Sequence, residues 1–369
     1  MNYFSYIYKN IDKTICAIVA IFALISILII GSTTVNTNFL SRSVIVQFAA
    51  YVIGVFLILF TLRYNYTIFK NLRKLLYPIA IVTLLTVYIP GLGTEINSAR
   101  SWINLRFITL QPSELVKILF ILIMASYLDE HKDELYNFKC LVKAVLIASP
   151  IILIVLKEDL GSALVFASIW LFMMFFSGIE LKALGKFFAL IFALVPIGYI
   201  SMAQYQKDRI EAFLHPDNLS LPGNYQVWQS KVAIGSGGFF GKGLFGGTQK
   251  SLDFIPVQTS DFFFAVLGEE LGLLGGFFVI ALYLVLLLRM MNILRNAVDF
   301  YGALIISGII GMFVFQIFEN IAMTMGLMPV TGITLPFLSY GGSSIVSNML
   351  AVALVLNIAV RSKKINFQL

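Results

Sequence analysis

The chain has 369 residues and a mass of 41.2 kDa; it is 59% hydrophobic, only 12% charged, and has a mean hydropathy of +0.90. Soluble domains are about 45–50% apolar and about 25% charged, so a soluble protein is excluded for want of polar surface, and a disordered chain for the opposite reason. The net charge of +7 belongs, in such a chain, on cytoplasmic loops facing anionic lipid and not on nucleic acid.

A helix needs about 20 mostly apolar residues to cross a bilayer. Ten stretches qualify as spans: 14–31, 43–62, 75–90, 112–128, 142–156, 162–177, 183–203, 261–289, 301–324 and 339–360. The first follows Lys9 and Lys13 without a small-x-small cleavage site, so it reads as a retained anchor. The expected fold is an all-α polytopic membrane protein, a single integral membrane domain over 1–369. With the N-terminus inside, the inner segments carry sixteen Lys and Arg, whereas the short outer loops carry only Arg42, Arg100, Arg106 and Lys157. That asymmetry places both termini in the cytoplasm and the long 204–260 loop, between spans seven and eight, outside. Cys16 and Cys140 give no disulfide framework.

Ionisable and polar residues within spans are costly and need reasons. Gln111-Pro112-Ser113-Glu114 opens the fourth span with ordinary helix-start chemistry, and Glu114 can pair with Lys117 three residues on. Gly235 to Gly243 fails the Walker spacing, because Ser236 and Gly243 stand where the pattern needs Gly and Ser or Thr. What survives is a turn with free amides and Lys242, suited to a phosphate or sugar, with Lys207 and Arg209 adding positive charge. Asp261 opens the eighth span. Its type and place suit a helix cap, and equally a carboxylate desolvated by Phe262, Phe263 and Phe264 and so raised toward a general base's range. Glu269 lies about 12 Å further along that helix and on a similar side; it or Glu270 is expected to pair with another helix, with Lys117 as one partner. From Gly326 to Ser344 the glycines and prolines break the backbone, beside Gln316, Glu319 and Asn320, which marks a structural loop or a cavity wall.

These motifs, in this order on a ten-span chain, resemble the SEDS family (shape, elongation, division and sporulation), in the wording of its RodA branch more than its FtsW branch. The carriers are Ala99-Arg100-Ser101-Trp102, Gln111 to Glu114, Asp159-Leu160-Gly161, Tyr225-Gln226 with Gln229-Ser230, and Ile234 to Gly238 with Gly241-Lys242-Gly243. They continue with Thr259-Ser260-Asp261-Phe262, Gly268 to Gly272, Pro329 to Gly332 and Ser339 to Ser344. The likeness covers nearly the whole chain.

The resemblance implies a peptidoglycan glycosyltransferase that polymerises lipid II outside the bacterial cytoplasmic (inner) membrane, an inverting transfer in which Asp261 takes the proton of the acceptor 4-hydroxyl. The pyrophosphate leaving group needs positive charge. Arg209 and Lys242 rank first for that role, ahead of Arg100 and Lys157; Gln226 and Ser343 are further substrate contacts. Glu114, Lys117, Asp159, Glu269 and Glu270 are expected to support the site without touching substrate. No protein metal site is expected, and a divalent cation (Mg or Mn) is left open as a cofactor. Implied partners are lipid II, the growing glycan strand, a class B penicillin-binding protein and the MreC, MreD and MreB elongation machinery, with no nucleic acid. Two departures stand out: Lys157-Glu158 replaces the family's usual Gln-Pro before Asp159, and Val257 replaces a frequent Glu after Pro256. The competing readings are a lipid II flippase, favoured by Glu269, Glu270, Lys117 and Glu319 within spans, and a silent scaffold.

Overall fold

A computed structural model describes residues 9–33, 41–96, 99–104, 109–135, 138–180, 182–187, 202–252 and 254–365, with isolated positions at 189, 193, 199 and 200. Long apolar runs become helices because a backbone in hydrocarbon must satisfy its own hydrogen bonds. In chain order these are α1 (Lys13–Thr33), α2 (Arg42–Arg63), α3 (Arg73–Leu85), α4 (Pro112–Glu130), α5 (Phe138–Glu158) and α6 (Leu160–Phe176). Three polar helices follow, α7 (Gln204–Leu214), α8 (Asn224–Ser236) and the single turn α9 (Thr248–Ser251), then α10 (Phe263–Arg295), α11 (Phe300–Thr324) and α12 (Gly342–Ile365). Among the described residues, α1, α2, α5, α10, α11 and α12 are long and apolar enough to cross a membrane, and α6 is a shorter apolar helix. Every expected span falls on a described helix except 183–203, ten of whose 21 residues lie outside the described residues.

The all-α expectation needs one correction. The described residues within 93–110 form a small antiparallel sheet, β1 (Gly93–Ile96), β2 (Ala99–Asn104) and β3 (Thr109–Leu110), in the order β1-β2-β3. Gly93 faces Ile103, and Ile103 faces Leu110. The segment between α3 and α4 is too short for another helix pair, and its Thr94, Trp102 and Ile103 suit a pleated, half-buried surface.

Helices α4, α11 and α12 form the centre of the bundle, buried on nearly every side. Small residues let the helices close, as in other membrane interfaces. Gly54 of α2 abuts Met349 of α12, and Gly308 and Gly311 of α11 abut Met173 and Phe172 of α6. Polar groups tie helix ends together. Asp12 accepts from the Thr14 and Ile15 amides at the start of α1 and pairs with Arg289 of α10 at 2.6 Å. At the other end of α1, the Ser32 hydroxyl donates to Glu270 of α10 at 2.8 Å, and its carbonyl accepts from Lys250.

Helix α10 is broken at Gly272, whose φ of 65° is open chiefly to glycine. The groups freed there are taken up by the turn after α8. Lys242 and Gly243 amides donate to the Glu269 and Glu270 carbonyls at 3.0 Å, and the Leu273 and Leu274 amides donate to Gly238 and Phe239. The turn expected to hold free amides therefore holds none at these positions: they complete the broken helix.

Candidate active site

A cavity of about 610 Å3 opens between the sheet, α4, α6, α7 and the irregular 329–341 segment. Asp261, Arg209, Asp159, Glu114, Lys117 and Ser343 all line it. So do Thr331 and Gly332 of the Pro329–Gly332 motif, and Tyr205, which has no clear signal in the sequence.

Asp261 is not the cap of α10. That helix begins at Phe263, and Phe262, in the cap position, makes no side-chain cap bond. Asp261 sits one step earlier, in a turn whose backbone is held from two sides. Asn320 of α11 donates to the Asp261 carbonyl at 2.9 Å and to the Ile333 carbonyl at 2.7 Å, so one amide fixes the carboxylate's segment against the 329–341 segment. Ser339 donates to the Ser260 carbonyl and the Tyr340 amide to the Thr259 carbonyl. With its carbonyl engaged, Asp261 keeps its carboxylate for the cavity. Gly332, at φ +77°, leaves room beside it: a Cβ there would stand 3.5 Å from the carboxylate oxygen. Burial pushes the Asp261 carboxyl above its ordinary range, Asp159 adding to the rise, while the Ser260 hydrogen bond and the Arg209 charge pull it down.

Arg209 projects from α7, donates to the Thr331 carbonyl at 3.0 Å and lies over the Tyr205 ring at 5.8 Å. Asp159 caps α6, accepting from the Ser162 amide at 3.1 Å and its hydroxyl at 2.6 Å, and it accepts from Gln111 at 3.2 Å. Gly161 lets α6 approach the 329–341 segment, for a Cβ there would meet the Thr331 carbonyl at 2.9 Å. Ser343, at the start of α12, is close enough to accept from the Gln111 amide at 3.4 Å. Deeper in, Lys117 and Glu114 form the pair expected from their spacing, 2.8 Å apart and almost wholly buried. Gln316, also buried, completes that polar wall with a carbonyl oxygen that no group among the described residues satisfies.

Other candidates stand elsewhere. Lys242 is outside the cavity lining; it pairs with Glu269 at 2.7 Å and donates to Thr248 at 2.8 Å. Glu270 pairs with Lys250. The suggested pairing of these glutamates with Lys117 is thus corrected: the loop lysines reach them first, and Lys117 is satisfied within its own helix turn. Gln226 is half-buried on α8 and does not line the cavity. Arg100 belongs to β2, its side chain lying outside the described residues. Lys157 is exposed, its ammonium 4.9 Å from the Tyr88 ring centre. Among the described residues no three His, Cys, Asp or Glu side chains gather as a metal site.

The chain is 37% identical over 313 residues to stage V sporulation protein E of Bacillus subtilis, covering 84% of this chain and 85% of that protein. It is 35% identical over 302 residues to the peptidoglycan glycosyltransferase MrdB of Escherichia coli, covering 81% and 80%. Among solved structures it superposes with a TM-score of 0.82 at 27% identity, over 95% of this chain and 98% of the other, on one described as showing the structural coordination of polymerization and crosslinking by a peptidoglycan synthase complex. On the crystal structure of the Thermus thermophilus rod shape determining protein RodA the score is 0.70 at 26% identity, over 95% and 96%. Residues 11–364 match the FtsW, RodA and SpoVE group of cell cycle proteins, and to that family this chain belongs.

Proposed function

We infer that the chain is a peptidoglycan glycosyltransferase that polymerises lipid II at the outer face of the cytoplasmic membrane. The observation that carries this is the meeting of a carboxylate raised by burial, Asp261, with a backbone-held cation, Arg209, on the wall of one cavity in a chain of this family. The acceptor 4-hydroxyl oxygen attacks the donor's anomeric carbon. The bond from that carbon to the pyrophosphate oxygen breaks, its electron pair leaves with undecaprenyl pyrophosphate, and the hydroxyl proton passes to Asp261. One displacement inverts the α-linked donor to a β-linked product. Arg209 stabilises the charge gathering on the leaving group, with the buried Lys117 of the deeper wall behind it.

This reading uses ten spans, both termini in the cytoplasm and the 204–260 segment outside, which sets the cavity mouth toward the sugars and the bundle toward the lipid tails. It expects a class B penicillin-binding protein as partner, in keeping with the polymerization and crosslinking ascribed to one matched complex, and the Mre elongation proteins alongside.

Purified protein in vesicles with labelled lipid II separates polymer formation from translocation alone. Asp261→Asn should lower polymer yield at least ~100-fold, the usual worth of a positioned base, while leaving elution as a single folded species. Full polymerisation by that variant would remove the base from the mechanism. Translocation without polymer in the unaltered chain would favour the carrier reading, for which the interrupted helix α10 and the buried Glu114–Lys117 pair are the supporting features.

A further inference from the structure

Two contacts place the membrane along this chain. The pair Asp12–Arg289 marks one end of α1 and the bond from Ser32 to Glu270 marks the other. The 20 residues between Asp12 and Ser32 span about 30 Å as helix, the thickness of a typical hydrocarbon core. Measured along α10 instead, Arg289 to Gly272 is 17 residues, or about 25 Å. With the topology proposed above, Gly272 and the turn bonded to the helix on either side of it therefore fall at the outer edge of the hydrocarbon, well below the start of α10.

That turn carries Phe239 and Phe240, the latter 82% exposed, and its Phe239 carbonyl is fixed to the Leu274 amide. Below them on α10, Leu273, Leu274, Phe277 and Phe278 are also exposed, so the two rings continue a lipid-facing surface. The charges of the same stretch turn the other way: Lys242 and Lys250 are drawn inward to Glu269 and Glu270. A loop on the water side would present its lysines outward and fold its phenylalanines in. We propose that the turn at 237–246 is a membrane anchor, with Phe239 and Phe240 seated in the outer leaflet at the boundary of headgroups and acyl chains. Aromatic rings favour that boundary, and these two would hold the loop, and through its ladder the short segment of α10 between Asp261 and Gly272, at constant depth.

The inference rests on the topology above, and its test does not read sugar transfer, so the two fail separately. The full chain with Cys16→Ala and Cys140→Ala carries a nitroxide at Phe240→Cys, at Phe278→Cys as a lipid standard, or at Asp217→Cys as a water standard, in vesicles of phosphatidylethanolamine and phosphatidylglycerol. The label at 240 should collide with oxygen more often than with a water-soluble nickel chelate, as at 278, and the ratio should reverse at 217. A ratio at 240 like that at 217 overturns the proposal, as does shielding from both, which would give the patch to protein packing. If the label disturbs the turn, Phe240→Trp in bromolipid vesicles replaces it: fluorescence added over the unaltered chain should be quenched several-fold, and unquenched emission overturns the anchor.

Discussion

The proposed chemistry rests on how little of Asp261 is occupied by structure. Its carbonyl is spent on Asn320 while its carboxylate stays on the cavity wall, and desolvation lifts that carboxyl above its ordinary range. A base acts when deprotonated, so polymerisation should rise as pH climbs through this raised value. Arg209 pulls the value down; Arg209→Gln should therefore move the acid limb of the rate profile to higher pH, beyond any fall in maximal rate. A limb that stays put would mean that Arg209 does not sense the carboxylate. The sequence marks Asp261 as an acid beside three phenylalanines at the start of an apolar run, but there it suits a helix cap as well, and only the resemblance singles it out as a base. Tyr205 carries no such mark, since a tyrosine on a polar helix acquires meaning only when the fold sets it against the same space; Gly332 was legible only as part of a loop or cavity wall, not as the neighbour of Asp261.

Among the elements, α10 shows most clearly where sequence and structure part. Lys242 reads as a substrate cation because it stands in a glycine-rich turn among outward-facing residues. In the fold it closes a buried carboxylate, because the Gly272 break draws the turn onto the helix and brings Lys242 to Glu269. Spacing along the chain carries no record of that docking. Removing one partner of a buried pair strands the other, although here the Thr248 and Gln249 amides also serve Glu269. Lys242→Met should cost on the order of 1–3 kcal/mol in thermal unfolding, and Glu269→Gln in the same chain should return part of it. Equal, additive losses in that cycle would show that the two side chains are not coupled.

For the whole molecule, hydropathy and the Lys and Arg distribution suffice to call a helical membrane bundle, because hydrocarbon leaves the backbone little choice. The sheet at 93–110 escapes such reading, being too short and too polar to leave a periodic signal. So does the fixing of the 329–341 segment by distant helices: Tyr51 of α2 donates to the Phe337 carbonyl, Tyr283 of α10 to Pro336 and Gln47 of α2 to Ser339. Tyr51→Phe should leave the Phe337 carbonyl unsatisfied and cost about 1–3 kcal/mol, seen as an earlier thermal transition; an unmoved transition would deny that bond a share in holding the segment. The two ties of α1, to Arg289 and to Glu270, have a consequence for the host lipid. A rod pinned at both ends has little freedom to tilt, so the bundle is cut to one bilayer thickness, and the surrounding acyl chains must stretch or compress to meet it. Polymer yield in synthetic vesicles should accordingly pass through a maximum as acyl length is varied, and an Asp12→Asn variant, loosened at one end, should show a broader one.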